Sequence, residues 1–300
     1  MKKLNVLFIL IIAFLLVSCN SDDDNSTTSN TSINLTSIKK DYYINDAFSH
    51  SSNYSFEENK LIKVEHSYGR SEELFYENDL VSNILKYDAS NNLEWTNTYT
   101  YDNAKRLIQK NSISSSSNPS ANQEKEITYT DNSNIQVLFT LSSTQTTNEN
   151  ITLNPENLII ENKLLNDEEQ IMSEKHYEYI NNNLTRFEIK DPNENTLLEA
   201  TFEYLDMEAS DFYNYNIFTY GPEWKNNYAL DTQFGLGIET YQISKNYISS
   251  YYRYDYDINI SRTVTFDYEF DSNDNIVEQI ENMIESDGDT YKTVTTYNYE

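Results

Sequence analysis

The only cysteine in this sequence is Cys19, so no disulfide can staple the fold and no multi-cysteine zinc site can form. Glycine occurs 5 times and proline 4 times, which excludes collagen-like and Pro/Gly-rich disordered chains. The glycines, Gly69, Gly221, Gly235, Gly237 and Gly288, frame neither a phosphate-binding loop nor a G-x-S-x-G nucleophile elbow. Basic residues number 21 against 49 acidic ones, a formal net charge of -28. Such a chain repels phosphate backbones and anionic lipid surfaces, so nucleic acid is excluded as a partner. Sustained helical periodicity is also nearly absent.

Aromatic residues are abundant instead, with 26 Tyr and 13 Phe available for burial. They recur in one phrase: an apolar–x–apolar step, a polar cluster, then a returning Leu or Ile. Examples are "YTYDNAKRLI" at 99–108, "ITYTDNSNIQV" at 127–137, "YEYINNNLTRF" at 177–187 and "YEFDSNDNIV" at 268–277. Period-two alternation is the mark of a strand with one buried face. Asn and Asp tolerate left-handed backbone and bond their own main chain, so they turn it without glycine. The returning apolar residue opens the antiparallel partner strand. Two strands recur about every 24–28 residues, the spacing of a hairpin array. The predicted fold is all-β: an antiparallel meander of repeated hairpins in one large twisted sheet, curled toward an open barrel or a solenoid. It forms a single domain over 33–300. A loop insertion at about 221–240 is marked by Gly221-Pro222, Trp224, Gly235 and Gly237.

The N-terminus reads "MKKLNVLFILIIAFLLVSCN". Lys2 and Lys3 precede a short apolar run, and Leu16-Val17-Ser18-Cys19 follows. This is the layout of a secretory signal rather than a stop-transfer helix. The last four residues resemble a bacterial lipobox. That resemblance implies cleavage after residue 18, lipidation of Cys19, and attachment to a membrane through the N-terminal lipid. Residues 19–32, with Asp22, Asp23 and Asp24, read as a disordered acidic tether. The triple Asp is similar to the export signal of surface-exposed lipoproteins of Gram-negative bacteria. The expected address is the outer membrane, facing either the cell surface or the periplasm.

The units "YTYDNAKRLI" and "YEFDSNDNIV" resemble the YD repeat, roughly Tyr-x-Tyr-Asp-x-x-Gly-x-Leu, over most of residues 54–300. This chain places Asn, Lys or Asp where the repeat has Gly. The segment from "SKNYISSYYRYDYD" to "NDNIVEQI" also resembles domains of unknown function in lipoproteins of Gram-negative bacteria. Large YD-repeat proteins wind their strands into a shell around a toxin. This chain is too short for that role, so the resemblance carries fold and address rather than activity.

No nucleophile or metal motif stands out. His50, His66 and His176 lie in strands or loops without neighbouring partners in sequence. "DSNDNIVEQIEN" at 271–282 has the Asp271, Asn273, Asn275 start of an EF-hand. It lacks the glycine at position six and the glutamate at position twelve, and reads as a turn. Neither a metal nor a cofactor is predicted. Aromatic display remains. Alternation puts Tyr252, Tyr254 and Tyr256 on one face of a strand, and Tyr213 and Tyr215 together on another. Such stripes are either the core face of the sheet or a contact for sugars and proteins. Trp224, in the insertion, is a further contact candidate. Three functions fit: a non-enzymatic binding module for glycan or envelope protein, an assembly component of an envelope complex, and a carboxylate-dependent polysaccharide hydrolase.

Overall fold

The computed structural model describes residues 34–115, 122–141, 145–209 and 244–300. Cys19, Tyr213, Tyr215, Trp224 and the 221–240 insertion lie outside the described residues. The described residues contain eighteen strands and no helix. The first nine are β1 (Leu35–Ile44), β2 (Ala47–Glu57), β3 (Lys60–His66), β4 (Ser71–Glu77), β5 (Leu80–Tyr87), β6 (Leu93–Tyr101), β7 (Leu107–Ser114), β8 (Gln123–Tyr129) and β9 (Asn134–Leu141). The rest are β10 (Gln145–Leu153), β11 (Ile159–Leu165), β12 (Ile171–Ile180), β13 (Asn183–Lys190), β14 (Thr196–Glu208), β15 (Asn246–Asp255), β16 (Ile260–Phe270), β17 (Ile276–Glu285) and β18 (Thr290–Tyr299).

Each strand pairs antiparallel with the next, and β18 pairs antiparallel with β1 from Leu35↔Tyr299 to Ile44↔Tyr291. The sheet is therefore a closed 18-stranded up-and-down barrel. The expected antiparallel meander is present and its curl goes to full closure: among the described residues no strand edge is left unpaired to template aggregation. Turns after odd-numbered strands form one end, here the mouth. Turns after even-numbered strands, together with the β18–β1 junction, form the other end, here the base.

The turns explain the scarcity of glycine. Asn45-Asp46, Glu58-Asn59, Asn78-Asp79 and Asn181-Asn182 have positive φ at both residues, the type I′ geometry that fits strand twist. Six other turns share a longer design. Asp88, Asp102, Asn154, Asn166, Asp191 and Asp271 each accept, on one side-chain oxygen, the amides two and four residues on. The residue three positions on is left-handed every time: Asn91, Lys105, Asn157, Glu169, Glu194 and Asp274, at φ between 59° and 65°. Lys105 and Asp274 stand at the glycine of the YD pattern in the two quoted units. The Asx side chain holds the loop that glycine would otherwise ease.

Even-numbered strands arrive at the base with two inward apolar residues, and the second is usually Tyr. The hydroxyls of Tyr76, Tyr129, Tyr204, Tyr268 and Tyr299 donate to the carbonyls of Leu61, Leu107, Leu184, Ile248 and Ile276. Each acceptor is the returning apolar residue of the preceding hairpin. The hydroxyl–carbonyl distances run from 2.7 to 3.2 Å. The repeat thus welds neighbouring hairpins, and side chains such as Leu107, Leu184, Phe187, Val264 and Ile276 are 0% exposed beneath them. That half of the interior is closed to water.

Toward the mouth the inward positions turn polar. Lys40, Lys86, Lys110, Lys125 and Lys175 alternate around the wall with Glu72, Glu149 and Glu281. On β13 and β14 the corresponding inward positions stay apolar, with Ile189, Leu198 and Ala200, whereas β15 and β16 place Arg253 and Arg262 there.

Candidate functional site

Many outward positions are hydrophilic, although Phe75, Ile113, Leu138 and Ile284 also face outward and are 37–57% exposed. Strand β6 presents Glu94, Thr96, Thr98 and Thr100, and β16 presents Ser261, Thr263, Thr265, Asp267 and Glu269. A barrel wall in lipid carries a continuous outward apolar band; these strands carry the reverse pattern.

One outward patch is aromatic. Tyr252 and Tyr254 alternate with inward Tyr251 and Arg253 on β15, and Tyr256 follows in the adjoining turn. Of the two readings of this stripe, the structure adopts the exposed one: Tyr252 is 46% exposed and Tyr256 49%. Register places Thr201 and Glu199 of β14 directly opposite Tyr252 and Tyr254. These five residues line a surface depression of about 480 Å³. Tyr254 and Tyr256 meet edge to face at 4.6 Å, and the Tyr254 hydroxyl donates to Asn259 Oδ1. Both rings are thereby held in place.

Arg186 of β13 lies beside the depression and holds its carboxylate. Its Nε donates to Glu199 at 2.9 Å, and its other nitrogens reach Glu178 at 3.3 Å and Glu188 at 3.7 Å. The Glu199 hydrogen bond holds the guanidinium above its ordinary range. The Tyr256 phenol is raised by desolvation and then by the Glu199 charge, so it stays a neutral donor.

Glu188 and Glu199 are direct cross-strand partners, the sort of paired carboxylates a hydrolase needs. The surroundings of Glu188 do not favour the acid role. Desolvation pushes the Glu188 carboxyl up, but the Thr196 hydroxyl, Arg186 and Lys190 outweigh it and the net direction is down. A general acid requires the opposite shift.

The histidines have structural partners. His50 stacks on Tyr42 at 4.3 Å, and His66 stacks on Tyr68 at 5.0 Å. Ser52 Oγ and His66 Nδ1 are 2.8 Å apart, but Ser52 is only 2% exposed and presents no accessible nucleophile. Glu161, Glu174 and His176 bring donor atoms within 4.8 Å of one another on the outer wall of β11 and β12. No spacing in the sequence announced this group, because it forms only across the Glu161↔His176 register pair. Lys163 lies 3.1 Å from Glu161 and 3.8 Å from Glu174, already supplying the positive charge. Asp271 spends its carboxylate on Asn273 and Asn275, as the turn reading of 271–282 requires.

No protein-family model matches this chain, and no curated protein matches it in sequence. Among solved structures, it is similar to a porin-like protein from Bacteroides uniformis at 13% identity and a TM-score of 0.48, covering 89% of this chain and 96% of that one. A porin-like protein from Bacteroides vulgatus gives 9% identity and a TM-score of 0.39, over 88% and 99% of the two chains. The TcdB2-TccC3 complex gives 11% identity and a TM-score of 0.27, with 85% of this chain aligned to 17% of that one. The described residues of this chain form an all-β closed barrel.

Proposed function

We propose that this protein is a membrane-anchored envelope lipoprotein, held through Cys19, that acts as a non-enzymatic binding module for glycan. The observation that carries the reading is the outward trio Tyr252, Tyr254 and Tyr256 set against Glu199 and Thr201. Aromatic faces stack on the C–H faces of sugar rings, and fixed carboxylate, guanidinium and hydroxyl groups bond sugar hydroxyls. The rigid barrel holds the patch in place, so little ordering entropy is lost on binding. The lipobox-like Leu16–Cys19 supports anchoring, and the hydrophilic outward faces of strands such as β6 and β16 support a barrel held beside the membrane rather than within it.

The test is a glycan-array screen of the soluble chain, followed by titration of the best ligand. The double variant Tyr252→Ala/Tyr256→Ala should weaken binding about tenfold or more, as expected for interface aromatics worth upward of about 1.4 kcal/mol. Unchanged binding in that variant, or no glycan bound at all, would sink the reading. A stoichiometric protein partner recovered in the second case would move the function to envelope assembly.

A further inference from the structure

The depression lined by Tyr252, Tyr254, Tyr256, Glu199 and Thr201 has a sign of charge. Glu199 is the one ionised side chain among its lining residues. That side chain is 32% exposed, so it meets whatever enters. Beside it, Arg186 is shared among Glu199, Glu178 and Glu188, each of its three nitrogens lying against a carboxylate. Lys190 Nζ lies 3.4 Å from Glu188. Two cations thus answer three carboxylates, and the cluster keeps a net negative charge. After desolvation, the charges of Glu199 and Glu188 push the Tyr256 phenol up, so their negative field extends over that ring. The rings add to the same field, because the face of a tyrosine is the negative side of its quadrupole. Their arrangement is a corner rather than a flat platform: Tyr254 and Tyr256 stand at 77° to each other. The corner is fixed at both sides. The Tyr254 hydroxyl donates to Asn259, and the Tyr256 amide donates to the Leu197 carbonyl at 2.9 Å.

We propose that this depression selects a cationic glycan, an amino-sugar oligosaccharide whose free ammonium sits between Glu199 and the corner of Tyr254 and Tyr256. The inference rests on the glycan reading above and narrows it. An ammonium beside Glu199 donates to a carboxylate and faces aromatic rings, and both contacts favour the charged form. The C–H face of the same sugar packs on Tyr252, and Thr201 offers a hydroxyl to its ring substituents. The depression, at about 480 Å³, has room for sugar residues as well as the ammonium. A uronate or sulfated sugar has no counter-charge to meet here. The nearest guanidinium is engaged by three carboxylates, and the whole chain carries a net charge of -28. A neutral sugar keeps the stacking but gains nothing from the field. Because the rings and Glu199 are part exposed, the attraction is screened by salt and fades as ionic strength rises.

The test varies charge on one oligosaccharide frame. The full chain would be titrated by calorimetry, at pH 6 and low salt, with a glucosamine tetrasaccharide, with its N-acetylated counterpart, and with a tetragalacturonate. The free amine should bind at least about tenfold tighter than the N-acetylated sugar, and the galacturonate should not bind. Raising the salt to about 1 M should close most of the gap between the first two. Glu199→Gln keeps the shape of the side chain and should bring the free amine down to the affinity of the N-acetylated sugar. Tyr252→Ala/Tyr256→Ala should weaken both. The comparison of the three sugars on the unaltered chain decides the matter even if a variant does not fold. N-acetylated sugar or galacturonate bound as tightly as the free amine, or a preference for the amine that survives Glu199→Gln, would overturn the charge selection and leave the glycan reading standing. Failure of all three sugars to bind, with no other glycan bound on the array, would instead sink the glycan reading and this inference with it.

Discussion

Replacing Tyr268 with Phe removes one hydroxyl from the base of the barrel and leaves the ring in place. That hydroxyl donates at 2.7 Å to the carbonyl of Ile248, a residue with 0% exposure. An ordinary intramolecular hydrogen bond contributes about 0.5–1.5 kcal/mol net, and stranding a buried partner costs about 1–3 kcal/mol. The Ile248 carbonyl sits at the start of a ladder strand with other backbone donors near, so the lower part of that range applies, about 1 kcal/mol. For a barrel of this size that is a Tm loss of about 2–4 °C. The structure supplies its own control. Tyr179 is another inward tyrosine near the base, on β12, but its hydroxyl is buried without a partner. Tyr179→Phe removes an unmet polar group, so it should leave Tm unchanged or raise it. Both variants delete the same atom from an inward tyrosine near the base and leave its ring, so the comparison isolates the hydroxyl. The assay is urea unfolding with parallel thermal melts, with the slope m checked for constancy. If both variants lose the same stability, the hydroxyl–carbonyl weld is not what joins the hairpins.

Glycine at the left-handed positions Lys105, Glu169 and Glu194 should stabilise. Relief of about 1–2 kcal/mol of strain per site is partly offset by about 0.4–1 kcal/mol of unfolded-chain entropy, so the triple variant should melt higher, and a lower Tm would refute the strain argument. Glu281 is raised by burial against the attraction of Lys40. Its folded value lies above its unfolded one, so stability is present in acid and lost as pH rises through the folded value. Glu281→Gln should therefore raise Tm at pH 7 and lose that advantage near pH 4 in a pH series of melts. The loop carboxylates Asp88, Asp191 and Asp271 are lowered by the Asn side chains and backbone amides they accept. Their stabilisation is present above the unfolded aspartate value and fades as pH falls through the folded values. Asp191→Asn should flatten the acid limb of the same melts; an unchanged limb would contradict the assignment.

Local structure was legible in the letters. "YTYDNAKRLI" shows its strands by alternation, its turn by Asp102, and its return by Leu107. The replacement of the repeat's glycine by Lys105 and Asp274 is visible in sequence, and the side-chain bonds of Asp102 and Asp271 explain why the turn survives it. The stripe Tyr252, Tyr254, Tyr256 was also legible as a stripe. Its direction was not, because alternation gives two faces without saying which one meets the core. Glu199 and Arg186 could not be assigned to it, since they lie 53 and 66 positions from Tyr252 in sequence. They arrive only through the β13–β14–β15 register.

The sequence by itself determined everything that a dozen neighbouring residues can decide: strand alternation, Asx-held turns, and a hairpin repeated along the chain. Those are local because backbone preference and side-chain-to-amide bonds act over a few residues. Only the tertiary structure decided that β18 closes on β1, that one face of β15 shows tyrosines to water, and that the other sets Arg253 against Arg262. Closure and register depend on the twist summed over eighteen strands and on burying one face completely, and no single segment of the chain contains that sum.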